Sequence, residues 1–184
     1  MKRWGMLLSL VAVIGLGFIA TRRHLPIWKR RRDVEVVAVA DLNEDAANEV
    51  ARRFRVASAF TDPKQLLDTG RPDIVALCTP PQTHMELSRL AMESGSHVLL
   101  EKPMALSYRE CELMLDGANT PGRKLCVIHN MLFYKPVMRA LELIDGGAIG
   151  EFRGMRLMIA NPVQEYLGTD GWVHRLPGGL VGET

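Results

Sequence analysis

The segment from Val11 to Asp41 constrains the fold more than any other part of the chain. It begins with an apolar run at 11–14, continues with G-L-G-F-I-A at 15–20, and has a second apolar run at 34–40 that ends at Asp41. This succession is typical of a strand, a tight glycine turn, a helix and a second strand. Glycines after a strand often form only a turn. An acidic residue about 20 residues further on is typical of a dinucleotide-binding unit, so the whole segment predicts cofactor binding.

The glycine turn is predicted to hold the pyrophosphate of the cofactor. Gly15 permits the sharp turn, Gly17 lets the backbone approach the phosphates, and the small Ala20 lets the helix pack closely on the strand. The first N–H groups of a helix have no partner within it and attract anions. The predicted phosphate-binding residues are Gly15, Leu16, Gly17, Phe18 and Ile19. Because no Gly-Lys-Ser or Gly-Lys-Thr follows the glycines, the segment is not a nucleoside-triphosphate loop.

Asp41 predicts which dinucleotide binds. Its carboxylate is expected to accept hydrogen bonds from both ribose hydroxyls and to repel a 2′-phosphate. The next two residues, Leu42 and Asn43, supply no arginine that would hold such a phosphate. NAD is therefore the predicted cofactor in preference to NADP.

Apolar runs and amphipathic segments alternate up to residue 128. This rhythm predicts an α/β fold with a doubly wound parallel sheet in the strand order 3-2-1-4-5-6. The predicted strands are 11–14, 34–40, 57–60, 74–78, 97–100 and 125–128. The predicted helix N-termini are Asn43, Asp62 before Pro63, and the capping boxes Thr83 with Glu86 and Ser107 with Glu110.

The pattern changes after residue 128. A helix is predicted at about 137–144, closed by Gly146 and Gly147, and a strand is predicted at 152–159. One helix and one strand cannot bury a core, so these residues are expected to begin a second domain. The predicted domains are 9–128, a Rossmann domain, and 129–184, the incomplete start of an α+β substrate domain.

Composition excludes several other classes of protein. The 184 residues carry a formal net charge of +2, and the main basic cluster, at 29–32, is expected at a helix end, so no nucleic-acid surface is predicted. The three cysteines are odd in number and form no C-x-x-C pair, which argues against a disulfide framework and a zinc site and favours a reducing, cytoplasmic location. His24, His97 and His174 lack metal-ligand spacing and are interpreted as structural, and no metal site is predicted.

The N-terminus permits another interpretation. Lys2 and Arg3 precede an apolar stretch at 4–20, which is also the pattern of a signal peptide or membrane anchor. Removing or embedding this stretch would delete the first strand of an otherwise complete sheet. A strand is therefore preferred here, and the anchor remains the alternative.

Polar residues that follow three later strands are predicted to reach the same edge of the sheet as the glycine turn, where open α/β sheets bind ligands. Lys102 precedes a proline and is expected to project from an extended backbone towards the crevice, although a surface ion pair beside Glu101 explains it equally well. His84 contacts the cofactor or merely begins its helix. The residues predicted at this edge are Thr79, Pro80, His84, Glu101, Lys102 and Asn130.

These motifs resemble those of the Gfo/Idh/MocA oxidoreductases. The matching residues are 11–20, Val39 to Asp41, C-T-P-P-Q-T-H at 78–84 and H-V-L-L-E-K-P at 97–103. The resemblance implies an N-terminal Rossmann domain that binds NAD or NADP, and a C-terminal domain that supplies the substrate face and often the oligomer interface. It also implies that Lys102 is catalytic. A sugar, cyclitol or similar secondary alcohol is then the expected substrate, no membrane partner is expected, and the full-length form is expected to be a homo-oligomer.

The resemblance is incomplete at the C-terminus. The family's second catalytic motif resembles G-G-G-x-L-x-D-x-G-x-H, of which P-G-G-L-V-G-E at 177–183 matches the first half, with Glu183 where Asp is usual. The histidine would fall beyond Thr184, so a fragment or a truncated gene product is expected, inactive by itself. Two hypotheses remain open. One is an NAD(P)-dependent dehydrogenase, and the other is a non-catalytic dinucleotide-binding module, sensor or partner subunit.

Overall fold

The computed structural model describes residues 8–118 and 122–158. The chain divides into two compact units, Met1–Ile128 and His129–Thr184. The assignment of the second unit to a substrate domain stays a prediction. The predictions for Lys2, Arg3, the part of the apolar stretch at 4–7, His174 and the motif at 177–183 lie outside the described residues.

The first unit is built on a six-stranded, wholly parallel sheet. The strand order is β3-β2-β1-β4-β5-β6, which confirms the prediction. Each strand is short and predominantly apolar, as parallel strands covered on both faces are. The strands are β1 (Ser9–Ile14), β2 (Val34–Ala40), β3 (Ser58–Phe60), β4 (Ile74–Leu77), β5 (His97–Leu100) and β6 (Leu125–Val127).

Helices connect successive strands of this unit. The first begins with a π-helical turn, Ala20–His24, in which the Leu25 N–H donates to the Ala20 carbonyl, and continues as α1 (Leu25–Trp28). The others are α2 (Glu44–Phe54), α3 (Pro63–Gly70), α4 (His84–Glu93), which follows a 3₁₀ turn at Pro81–Thr83, and α5 (Tyr108–Ala118).

Side chains of β1 alternate between two apolar cores, one on each face of the sheet. Val11 and Val13 pack in the core that contains Leu25 of α1 and residues of α2. Ala12 and Ile14 pack in the core that contains residues of α3, α4 and α5. Because both faces of β1 are buried, the first strand cannot be removed without exposing the centre of the sheet.

Most predicted helix caps are confirmed. Asn43 Oδ1 accepts the Ala46 N–H at 3.1 Å, and Asp62 Oδ1 accepts the Lys64 N–H at 2.9 Å. The capping box at α5 is complete, since the Glu110 N–H donates to Ser107 Oγ and the Ser107 N–H donates to Glu110 Oε2, both at 3.2 Å. Local side-chain chemistry therefore determines where these helices begin.

The capping box predicted at Thr83 is wrong. Pro81 begins a 3₁₀ turn, and Thr83 already has helical backbone angles, φ −102° and ψ −7°. Its hydroxyl contacts Thr79 Oγ1 at 2.8 Å and the Pro80 carbonyl at 2.9 Å rather than an N–H of α4. An N-cap needs an extended backbone, so the turn removes the geometry that the capping box requires.

The second unit has a 3₁₀ turn at Asn130–Phe133 and one helix, α6 (Lys135–Asp145), within its described part. Gly146 and Gly147 follow the helix as predicted. The predicted strand at 152–159 is wrong over 152–158, which have no regular secondary structure. A strand needs a neighbour for its backbone hydrogen bonds, and no other segment of this unit's described part supplies one. No helix formed by residues 8–118 or 122–158 is long and apolar enough to cross a membrane.

Candidate nucleotide-binding site

The register of the sheet brings the predicted site residues of the first unit to one edge. Ile14 pairs with Ala40 and with Leu77, and Leu77 in turn pairs with Leu100. Four strands therefore end at the same level. The residues that come next along the chain, which include the glycine turn, Asp41, Thr79 and Glu101, begin the loops at that edge.

Gly15 allows two of these loops to approach each other closely. Its φ is +84°, in the left-handed region that favours glycine. A Cβ atom added to it would lie 2.7 Å from the Thr79 Cγ2 atom and 2.8 Å from the Cys78 carbonyl carbon and the Thr79 nitrogen. Only a glycine therefore fits between the end of β1 and the loop after β4.

Gly17 faces open space. No atom lies within 4 Å of the position that a Cβ would occupy, and its φ is not in the left-handed region. Neither the packing nor the backbone conformation therefore requires a glycine at this position. Open space beside the start of a helix fits the close approach of a pyrophosphate, for which a side chain would be an obstacle. Phe18 is 48% exposed and Ile19 is partly exposed beside it.

Asp41 is held by the backbone around it. Its Oδ2 accepts the Leu16 N–H at 2.8 Å, and its Oδ1 accepts the Asn43 N–H at 2.9 Å. A carboxylate has about four acceptor positions, so each oxygen keeps one for a further donor. The partly exposed carboxylate can therefore accept further hydrogen bonds, as the predicted contact with a ribose diol would require. Leu16 supports the site through its backbone N–H, whereas its side chain is buried in the core.

His84 joins the loop after β4 to the loop after β5. The ring is fully buried, with Nε2 2.8 Å from the Thr79 carbonyl and Nδ1 2.9 Å from the Pro103 carbonyl. Both ring nitrogens are therefore occupied by backbone oxygens. The contact of His84 with the cofactor stays a prediction, and in this structure the ring links Thr79 to the loop that carries Lys102. Pro80 is exposed beside Thr79.

Glu101 and Lys102 follow β5 and are both partly buried. The Glu101 N–H donates to the Leu77 carbonyl at 3.0 Å, which keeps this residue against the end of β4. Its Oε2 accepts the Lys102 N–H at 3.3 Å, and its Oε1 accepts a hydrogen bond from His24 Nε2 at 2.6 Å. The side chains of His24 and Glu101 are only 9% and 13% exposed. The helix after β1 thus contacts the loop that carries Lys102.

Burial raises the pKa of the Cys78 thiol well above its ordinary value of 9.0, and the negative charge of Glu101 adds to the rise. The thiol is therefore protonated at neutral pH. Since the thiolate is the nucleophilic form of cysteine, Cys78 is not a nucleophile of this site. Among residues 8–118 and 122–158, no group of three or more His, Cys, Asp or Glu side chains is placed to hold a metal ion.

The comparisons with known proteins agree with this geometry. Residues 9–129 match the GFO_IDH_MocA family, described as an oxidoreductase family with an NAD-binding Rossmann fold. The chain belongs to the Gfo/Idh/MocA oxidoreductases. The resemblance of the motifs and the predicted fold class are thereby confirmed, and the glycine turn and Asp41 lie in the part that matches.

Relatives of this Gfo/Idh/MocA chain include sugar and cyclitol enzymes. D-glucoside 3-dehydrogenase of Escherichia coli is 33% identical over 141 residues, which are 77% of this chain and 40% of the relative. The structure of myo-inositol 2-dehydrogenase from Lactobacillus plantarum has a TM-score of 0.73 at 25% identity. The alignment covers 78% of this chain and 43% of the chain of that enzyme. The structure of KijD10, a 3-ketoreductase from Actinomadura kijaniata, in complex with NADP has a TM-score of 0.71 at 30% identity. This alignment covers 78% of this chain and 46% of the KijD10 chain. The chain thus spans less than half the length of each of these relatives.

Two predictions about the site have different outcomes. Asn130 begins the 3₁₀ turn of the second unit and is exposed there, so its contact with the cofactor stays a prediction. His24, interpreted as structural from the sequence, is the hydrogen-bond partner of Glu101. One signal was available: His24 lies seven residues after Gly17, on the helix face that also carries the buried Ala20. A polar side chain on a buried face needs a polar partner.

Proposed function

We propose that this chain supplies the nicotinamide-dinucleotide-binding part of an oxidoreductase that interconverts a secondary alcohol and a ketone of a sugar or cyclitol. The observation that carries the proposal is the common edge at which the glycine turn, the oriented Asp41 carboxylate and the Lys102 loop meet. Family membership supports the cofactor class. The relatives that act on glucosides and inositols support the substrate class.

The cofactor would be held at two places. The amides that follow Gly17 at the start of the helix would bind the pyrophosphate, and the Asp41 carboxylate would accept hydrogen bonds from the ribose hydroxyls. Its oxygens are fixed by backbone N–H groups, so the carboxylate cannot easily turn away from an approaching 2′-phosphate. This arrangement favours NAD over NADP.

Lys102 is proposed to act on the substrate oxygen. The nicotinamide, when bound, accepts or supplies the hydride. During oxidation the hydroxyl proton would pass to a base, for which the resemblance implies the histidine of the second catalytic motif. The Lys102 ammonium would donate a hydrogen bond to the alcohol oxygen and stabilise the negative charge that develops as the carbon loses its hydride. During reduction the same group would polarise the ketone. Partial burial strengthens this interaction, because fewer water molecules compete for the oxygen.

The proposal is tested by replacing Lys102 with alanine in the full product of the gene. Turnover should fall by about 10² to 10⁴, the usual contribution of a positioned acid-base group, while affinity for NAD stays the same. A loss below about tenfold would make Lys102 an ordinary surface lysine. Loss of NAD affinity along with turnover would assign it to the cofactor site instead, and NAD binding by the wild type without any turnover would favour a non-catalytic binding module.

A cytoplasmic location and a homo-oligomeric full-length form remain predictions. Gel filtration with light scattering tests the second of these, since a monomeric gene product would contradict it.

A further inference from the structure

The His24–Glu101 pair is a hydrogen bond between two side chains that are only 9% and 13% exposed. Its two residues are 77 positions apart, one in the π-helical turn after β1 and the other in the loop after β5. β4 lies between those strands in the sheet. The pair therefore passes over the end of β4 and links the two segments that the proposed function assigns to cofactor and substrate.

The chemistry of the two side chains decides which atom donates the hydrogen bond and which accepts it. A carboxylate oxygen only accepts, so the Nε2 atom of His24 carries the hydrogen. The 2.6 Å distance is that of a short, charge-assisted contact. A carboxylate as little exposed as that of Glu101 needs such a donor, because its water shell has been largely removed.

Glu101 transmits the position of His24 to the Lys102 loop. One carboxylate oxygen accepts from His24, and the other accepts the backbone N–H of Lys102. Loss of the His24 hydrogen bond would free the carboxylate to rotate towards water, and the Lys102 N–H would lose its contact with the Glu101 Oε2 atom. The backbone of the proposed catalytic residue would then be less well fixed.

We propose that His24 is a positioning residue, which orients the Glu101 carboxylate and, through it, the backbone of Lys102 relative to the helix that follows the glycine turn. The functional part of this proposal rests on the proposed function, whereas its structural part concerns residues of this chain alone. Positioning matters in catalysis because displacements of about 1 Å can reduce a rate by about a hundredfold.

The test is amide hydrogen exchange of the 184-residue chain without cofactor, in wild type, His24→Leu and His24→Gln. The apolar variant keeps the volume but not the donor, and glutamine places an amide N–H near the Nε2 position. The Lys102 amide should exchange about tenfold faster in His24→Leu and within about threefold of wild type in His24→Gln. His97→Leu is the matched control, since it removes a different histidine hydrogen bond, the one that His97 Nδ1 accepts from the Lys124 N–H.

Three results would overturn the proposal. They are an unchanged Lys102 amide in His24→Leu, an equal change in His97→Leu, and faster exchange throughout β1, which would show a merely structural role. If His24→Leu does not fold, His24→Asn, whose amide is too short to reach Glu101, replaces it with the same expected result.

A kinetic measurement on the full gene product separates this proposal from the proposed function. His24→Leu should lower kcat about tenfold and leave the affinity for NAD within about twofold, whereas His24→Gln should recover most of kcat. Wild type that binds no NAD would refute the proposed function, and the exchange experiment would still decide the role of His24. If the enzyme is active, equal kcat in wild type and His24→Leu would overturn the positioning role of His24.

Discussion

Replacement of Gly15 by alanine should destabilise the first unit strongly. A residue with a Cβ at φ +84° is in the left-handed region, which costs about 1–2 kcal/mol. The added methyl would also meet three atoms at 2.7–2.8 Å, two of them in the backbone of Cys78 and Thr79. Relief of such overpacking requires the ends of β1 and β4 to move apart, at a further cost of about 1–3 kcal/mol.

The expected net loss is about 1–4.5 kcal/mol, because the unfolded chain of the alanine variant is less flexible, which returns a few tenths to 1 kcal/mol. That is a large share of the stability of an ordinary domain. Gly17→Ala is the matched control: it makes the same chemical change two residues away, where no atom lies within 4 Å and φ is ordinary. Its stability should be unchanged or higher by up to about 1 kcal/mol.

The assay is urea unfolding of wild type and both variants, followed by far-UV circular dichroism, with the slope of free energy against urea compared among them. Gly15→Ala should unfold at a clearly lower urea concentration than wild type, and Gly17→Ala should not. If the two variants differ by less than about 0.5 kcal/mol, the uncertainty of such comparisons, the packing argument at Gly15 is refuted.

Two further predictions concern the same edge of the sheet. Wild type should bind NAD more tightly than NADP, and Asp41→Ala should lose that preference, as titration with both dinucleotides will show; equal affinities in wild type would refute the role given to Asp41. Because the pKa of the Cys78 thiol is raised above 9.0 in the native state, the unfolded chain loses this proton first as pH rises. Stability should therefore decline above about pH 9 by up to ~1.4 kcal/mol per pH unit, and Cys78→Ala should show a shallower decline in urea unfolding between pH 8 and 10; identical slopes would contradict the assigned burial.

Local sequence chemistry predicted much of the fold because it acts over a few residues. The glycine turn needs a backbone that only glycine adopts easily, and the caps at Asn43, Asp62 and Ser107 need a side chain beside the N–H groups that it accepts. Strand order followed from the alternation of strands and helices. These features depend little on what lies elsewhere in the chain.

The features that were missed depend on partners distant in sequence. The Thr83 hydroxyl contacts oxygen atoms of the preceding turn, whereas a capping box requires it to accept an N–H of the following helix. His84 and His24 contact residues up to 20 and 77 positions away. A histidine considered alone does not reveal whether its ring meets a ligand, a backbone carbonyl or a carboxylate, and that difference decides its role here.

Binding of a nicotinamide dinucleotide at the glycine turn is measured by titrating the 184-residue wild-type chain and Gly17→Ala with NADH and following nucleotide fluorescence. Wild type should bind one NADH per chain saturably, and Gly17→Ala should bind much more weakly while unfolding at the same or a higher urea concentration. No saturable binding by wild type up to about 1 mM NADH, or equal binding by the two proteins, would show that the glycine turn does not bind this cofactor.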